Sequence, residues 1–280
     1  MQKINLYTTV TVSDFQDKAY INHLIDLNIG VELALLTPLS DITQYKKDLD
    51  ALKKEIEAFK DCFNQYNIPV DKVRIHQPGG YAYYWSDHDK ISGYNLLKDF
   101  FSYCYDSGFR NFVIHPPYGN SNIDQLLELD QYKEKIKHLI PADATLEVEE
   151  ISVSNDELEN SENIRFYSGP LFETLMQDQP NAIMLLDTYE CGGVDATIKR
   201  FKDLTSKGFE IKSIHLHKDK HKFLTSDEVA LLLNSNFCGN LVNEGFLQDE
   251  SSFDEFIKTK SMKCVVPNIQ RIEILKSYNV

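Results

Sequence analysis

The sequence predicts a closed (β/α)8 barrel, an α/β fold in which residues 1–280 form a single domain, on three observations. Short apolar, β-branched runs alternate with amphipathic helical stretches, which implies parallel strands joined by helical crossovers. Eight such units fit the roughly 250 residues that one barrel of this kind needs. Nearly every apolar run ends in a His, Glu or Asp, as expected where strand ends converge on one mouth. An open doubly wound sheet is the alternative. No GxGxxG follows the first strand, so dinucleotide binding lacks support.

Residues 3–12 read as the first strand, and Ala19, Ile21, Leu24, Ile25 and Leu27 give 16–28 a helical face. Gly30 to Leu36 is a second strand. The charged stretch 42–66 spaces Leu49, Leu52, Ile56, Phe59 and Phe63 three and four residues apart, predicting a long amphipathic helix. Val70 to His76 is the third strand, followed by a Gly/Tyr-rich loop through Trp85. A helix near 92–106 leads to a fourth strand, Asn111 to His115, and one near 123–138 to the fifth, 145–151. The acidic, Asn/Ser-rich segment 153–163 reads as a solvated connection. Helices near 169–178, 193–206 and 225–233 alternate with strands at Ala182 to Asp187, Ile211 to His217 and Gly239 to Glu244. The tail is expected to be helical.

The fifth strand is the anomaly. Thr145-Leu-Glu-Val-Glu-Glu-Ile-Ser152 carries three carboxylates where a buried strand should be apolar. Alternation puts Thr145, Glu147 and Glu149 on one face, with Leu146 and Val148 on the other. Carboxylates are rarely buried unless something pairs with them or a metal takes them. Glu32, His76, His115, Glu149, Asp187, His215 and Glu244 fall at the same phase of successive units, so a barrel would gather them at one end. Three carboxylates and an imidazole around a centre suit Mn²⁺, Mg²⁺ or Co²⁺, and Zn²⁺ less exclusively because no thiolate is present. Without a cation, Glu149, Asp187 and Glu244 would repel and raise one another's pKa.

The totals narrow the setting. The chain is 42% hydrophobic, enough for a sizeable core, and its net charge of −14 disfavours a nucleic-acid partner. Five cysteines, odd in number and without a CxxC pair, read as reduced thiols. The opening Met1-Gln-Lys-Ile-Asn-Leu-Tyr lacks an apolar signal core, and no run approaches ~18 apolar residues. A soluble, cytoplasmic protein with no membrane segment is expected, and a homodimer is compatible with the acidic surface and C-terminal helices.

Several runs resemble a known group. Val-Glu-Leu (31–33), Arg-Ile-His (74–76), Val-Ile-His-Pro-Pro (113–117), Val-Glu-Glu-Ile-Ser (148–152), Leu-Leu-Asp-Thr (185–188), Ile-His-Leu-His (214–217) and Val-Asn-Glu (242–244) look like the xylose isomerase-like TIM-barrel superfamily. That group includes sugar isomerases, ketose 3-epimerases, inosose dehydratases and apurinic-site nucleases of the endonuclease IV type. The resemblance covers about residues 3–245. It implies a metal bound by Glu149, Asp187, His215 and Glu244, with Glu149 and Glu244 also acting as the acid/base pair on opposite faces of a sugar. Glu32, His76, His115, Glu190 and His217 would face the substrate, and His76 and His115 could instead serve a second metal.

Some assignments stay open at this level. Either Glu147 or Glu149 could be the fifth-strand ligand, and either His215 or His217 the seventh. Epimerases and nucleases commonly place a His three residues after the sixth-strand Asp, where this chain has Glu190, a ligand or a cap for the helix at Gly192-Gly193. Lys218, Lys220 or Lys222 could contact an anionic substrate group or be a solvated run, and the loop 79–85 could be an aromatic lid.

The leading expectation is an enzyme: an isomerase or epimerase, dependent on one divalent cation (Mn, Mg, Co or Zn). It would act on a small carbohydrate, a sugar phosphate or a cyclitol by proton transfer next to a carbonyl. Two readings compete. One is a metal-dependent phosphoesterase of the endonuclease IV type. The other is a barrel that binds carbohydrate without catalysis.

Overall fold

The computed structural model describes residues 4–37, 44–78, 93–116, 118–120, 125–151, 164–166, 169–218, 221–246 and 266–278. Eight parallel strands close on themselves in chain order: β1 (Asn5–Val10), β2 (Gly30–Leu33), β3 (Val73–His76), β4 (Asn111–Ile114), β5 (Thr145–Glu149), β6 (Ala182–Asp187), β7 (Ile211–Leu216) and β8 (Asn240–Asn243). The last seam pairs Asn5 with Asn240 and Thr8 with Asn243. Around them run α1 (Lys18–Asp26), α2 (Tyr45–Tyr66), α3 (Gly93–Asp106), α4 (Gln125–Lys137), α5 (Gly169–Met176), α6 (Val194–Ser206), α7 (Ser226–Leu233) and α8 (Asn268–Tyr278). A two-stranded antiparallel ribbon joins Tyr118–Asn120 to Ile164–Phe166, tying together the segments that follow β4 and β5. The chain is thus a (β/α)8 barrel.

The helices form where the spacing predicted them. α2 buries Leu49, Leu52, Ile56, Phe59 and Phe63, and Asn67, in the left-handed region at φ 56°, ends it. Thr225 and Glu228 close a capping box at the start of α7. Several strands are shorter than expected, and for β1 and β3 a local reason is visible. The Thr11 amide donates to Asp14 Oδ2 at 2.7 Å, which takes it from the ladder and starts a 3₁₀ turn, Val12–Gln16. Pro69, which has no N–H, precedes a second such turn, Val70–Lys72, so β3 starts at Val73. The loop through Trp85 and the acidic connection 153–163 lie outside the described residues.

Alternation sorts the strands into two faces. Leu146 and Val148 of β5 belong to the apolar layer beneath the helices, leaving Glu147 and Glu149 toward the barrel axis. Gly30 makes room inside: a Cβ there would fall 2.3 Å from the Tyr7 ring. The β6–β7 ladder is irregular. Met184 pairs with Ile211 but Leu185 with Ser213, so Lys212 is passed over, and Asp187 lands opposite His215.

Among the described residues no helix is long and apolar enough to cross a membrane. Cys62, Cys104, Cys191 and Cys238 are free thiols.

Candidate active site

Charge fills the barrel in two tiers. The lower tier centres on Arg74, which is 1% exposed. Its Nε donates to Glu32 Oε2 at 2.9 Å, Nη1 to Ser213 Oγ at 2.6 Å and Nη2 to Glu147 Oε2 at 3.2 Å. The guanidinium also sits 5.5 Å from the centre of the Tyr7 ring. Buried ions need this kind of full pairing.

The upper tier is different. Glu149 Oε2 lies 3.2 Å from His215 Nδ1, 3.6 Å from His76 Nε2 and 3.7 Å from His115 Nε2. Glu244 places Oε1 3.2 Å from the same His215 Nδ1, and Oε2 3.7 Å from His217 Nε2. His217 Nε2 is in turn 2.9 Å from Asp187 Oδ2. These atoms are close without being hydrogen-bonded: Glu149 Oε2, Asp187 Oδ2 and both ring nitrogens of His215 are buried without a hydrogen-bond partner. Orphaned donors and acceptors at such density are rare in a folded protein and point to something that completes them.

The surroundings hold these atoms in aim. His76 Nδ1 and His217 Nδ1 each sit 2.8 Å from a main-chain carbonyl, of Gln77 and Lys218. A carbonyl only accepts, so Nδ1 carries the proton and Nε2 is turned toward the carboxylates. Asp187 Oδ1 accepts from the amides of Tyr189 at 2.6 Å and Glu190 at 2.9 Å, which fixes the carboxylate and leaves Oδ2 facing the site. Thr188 locks the strand ends, donating to the His217 carbonyl at 2.7 Å and accepting from its amide at 3.0 Å.

Proton affinities follow from this crowding. Burial works against charge on His76, yet Glu149, Glu32 and Glu244 outweigh it and raise the ring to about 9. The same contest, settled by Asp187 and Glu244, raises His217 to about 10, and the glutamates around His215 lift it well above its usual range. Burial prevails at His115, against the pull of Glu149, and lowers it to about 4. The glutamates diverge. Despite burial, His215, His76 and His115 hold Glu149 well below the ordinary carboxylate range. Burial and the repulsion of Glu149 and Glu32 raise Glu244, against the attraction of His215.

The donor set fits a divalent cation. Ligand atoms of Glu149, Asp187 and His215 lie within 4.8 Å of one another, as do those of His76, His115 and Glu149, and those of His217, His221 and Glu244. Carboxylate oxygens with imidazole nitrogens and no thiolate match Mn²⁺, Mg²⁺, Co²⁺ or Zn²⁺.

Of the residues singled out in the sequence, Glu149, Asp187, His215, Glu244, His76, His115 and His217 converge here. His215 and His217 both face the carboxylates. Glu147 lies in the lower tier with Arg74, and Glu150 turns outward to Arg200, at 2.7 and 2.8 Å. Glu190 is in none of these clusters, and its amide serves Asp187. Glu32 is 1% exposed and packed under His215. Lys218 pairs with Glu228 at 2.8 Å, while Lys220 and the loop 79–85 lie outside the described residues. Sequence reasoning missed the role of Arg74. Arg74 shares the face of His76 and is in register with Glu32, and that cross-strand pairing is the signal that could have found it.

The chain matches no protein-family model and no curated protein sequence. Solved structures do resemble it. The 3-keto-D-glucoside 4-epimerase of E. coli superposes with a TM-score of 0.57 at 12% identity, covering 91% of this chain and 98% of that one. An AP endonuclease, family 2, from Brucella melitensis gives 0.52 at 13% identity over 92% of this chain and 99% of that one. Endonuclease IV from Thermus thermophilus gives 0.51 at 12% over 91% and 96%. At these identities the likeness establishes the fold. Sugar isomerase/epimerase and endonuclease IV barrels, the group that the strand-end motifs resemble, are thus among the structural neighbours, as is an N-acetylneuraminate lyase from Proteus mirabilis at a TM-score of 0.50.

Proposed function

We propose that the protein is a divalent-cation-dependent isomerase or epimerase of a small carbohydrate, exchanging a proton next to a carbonyl between Glu149 and Glu244. The observation that carries the reading is the pair of 3.2 Å approaches, Glu149 Oε2 and Glu244 Oε1, to one buried nitrogen, His215 Nδ1, that has no hydrogen bond. Sugar epimerases among the structural neighbours support an enzyme of this kind.

Glu149, Asp187, His215 and Glu244 would hold the cation. When bound, it supplies Lewis-acid polarisation of a substrate carbonyl and neighbouring hydroxyl, which acidifies the C–H between them. Glu149 and Glu244 would be the pair that removes that proton and returns one from the other side; before the cation enters, imidazole neighbours hold Glu149 low and burial raises Glu244. His76 and His115, whose Nε2 atoms lie 3.6 and 3.7 Å from Glu149 Oε2, would meet the substrate hydroxyls. Metal content of the native protein, together with solvent-deuterium uptake into candidate ketoses, tests this. One cation per chain with exchange supports it, whereas metal-loaded protein that exchanges with no ketose counts against it.

One observation favours a second reading, a metal-dependent phosphoesterase. His76 and His115 make a separate donor group that shares Glu149 with the first, which suits more than one ion. Two or three zinc ions with cleavage of abasic DNA would establish it. Protein that binds no cation would leave the non-catalytic carbohydrate-binding barrel.

A further inference from the structure

We infer that Glu32 is a positioning residue for His215, itself held by Arg74; this rests on the cation-binding reading above. The two oxygens of Glu32 are divided between two jobs. Oε2 accepts from Arg74 Nε at 2.9 Å, while Oε1, buried and without a hydrogen bond, lies 3.4 Å from His215 Nε2. The His215 ring therefore stands between Glu32 on one side and Glu149 and Glu244 on the other.

A neutral imidazole has one N–H and one lone pair, so the partner of one nitrogen decides what the other presents. With the proton on Nε2, facing Glu32, the Nδ1 lone pair faces Glu149 and Glu244 and is available to a cation. The opposite tautomer would set a lone pair against a carboxylate oxygen. Arg74 makes the choice permanent. Its planar guanidinium is fixed in three directions, to Glu32, Ser213 and Glu147, so Glu32 cannot rotate away. Ser213 lies two residues before His215 on β7, so the same guanidinium grips both the carboxylate and the strand it serves.

The rival role for Glu32 is ligand, since its donor atom falls within 4.8 Å of those of His76, His215 and Glu244. The Arg74 charge 2.9 Å from its carboxylate opposes a second cation there.

Substitution Glu32→Gln separates these roles because it keeps the shape and reverses the chemistry. The Arg74 N–H groups demand an acceptor, so the amide oxygen turns to Arg74 and the amide N–H₂ to His215 Nε2. The proton then moves to Nδ1, the atom the cation needs. Calorimetric titration of chelator-treated protein with Zn²⁺ should show affinity lowered about 10–100-fold in Glu32→Gln. Glu147→Gln, which touches the same guanidinium but not His215, should stay within about threefold of the unaltered protein. Melting of both variants without metal checks that they fold, and nitrogen-15 spectra of the histidine rings in zinc-loaded protein should place the His215 proton on Nε2.

Equal losses in the two variants, an unchanged affinity in Glu32→Gln, or a proton on Nδ1 of the unaltered protein would each overturn the inference alone. Failure of the unaltered protein to bind any divalent ion would overturn the cation-binding reading and this inference with it.

Discussion

The two tiers of the barrel hold similar numbers of buried carboxylates and treat them in opposite ways. Below, Glu32 and Glu147 share the guanidinium of Arg74 through hydrogen bonds of 2.9 and 3.2 Å. Above, Glu149, Asp187 and Glu244 have only imidazoles as counter-charges, and Glu149 Oε2 and Asp187 Oδ2 bond to nothing. A cation written into the sequence makes a scaffold. Carboxylates left to neutralise themselves with borrowed protons make a donor set whose protons a divalent cation would displace.

The sharpest break between the tiers is chemical. Glu149→Gln or Glu244→Gln should lower turnover about 10²–10⁴-fold, read as solvent-deuterium uptake into whichever ketose the unaltered protein exchanges. Retained exchange in either would remove that residue from the proton path. The lower tier should instead break as a fold. Arg74→Met leaves Glu32 and Glu147 buried without their cation and should cost about 3–5 kcal/mol in urea unfolding. A cost under about 1 kcal/mol would mean that the lower tier is as adaptable as the upper.

Acidity gives a finer test. His76 and His217 are raised to about 9 and about 10 in the folded chain, above the ordinary 6.5. Their contribution to stability is therefore complete below about pH 6.5 and lost as pH climbs through 9 and 10. Melting temperature of chelator-treated protein should fall over that window, and saturating divalent metal should flatten the slope because its charge among the same carboxylates replaces that of the protonated rings. A flat profile without metal would show that the imidazoles are not the counter-charges. The smallest expected effect is at Lys218→Ala, whose partly exposed pair with Glu228 should be worth no more than about 1 kcal/mol. A large loss of substrate affinity there would restore Lys218 as an anion contact.

Much of the upper tier was legible in the chain because its residues repeat at the ends of regular units. A His after Arg-Ile and a Glu after Val-Asn declare themselves by phase alone. The lower tier was not legible in the same way. Arg74 looks like any strand arginine until register sets it beside Glu32 and across the barrel from Glu147, contacts between residues 42 and 73 positions apart. Strand ends misled where a side chain captured a main-chain group, as Asp14 does at Thr11, since such bonds compete with the ladder without altering its apolar pattern. Glu32 was expected at the substrate because a strand-end acid carries no mark of depth.

The residue passed over between β6 and β7 has a consequence for inheritance. Loss of the Lys212 codon would make the ladder regular, with Ile211 still opposite Met184, Ser213 opposite Leu185 and His215 opposite Asp187. Loss of the Ile214 codon, two positions on, would do the reverse. Ser213 and His215 would become adjacent, and side chains of adjacent strand residues point to opposite faces. The guanidinium of Arg74 and the carboxylates above it could then no longer share that strand. Both descendants would keep every histidine and carboxylate of the upper tier in the gene. A comparison that counts residues would not tell them apart, yet one would have kept its centre and the other lost it.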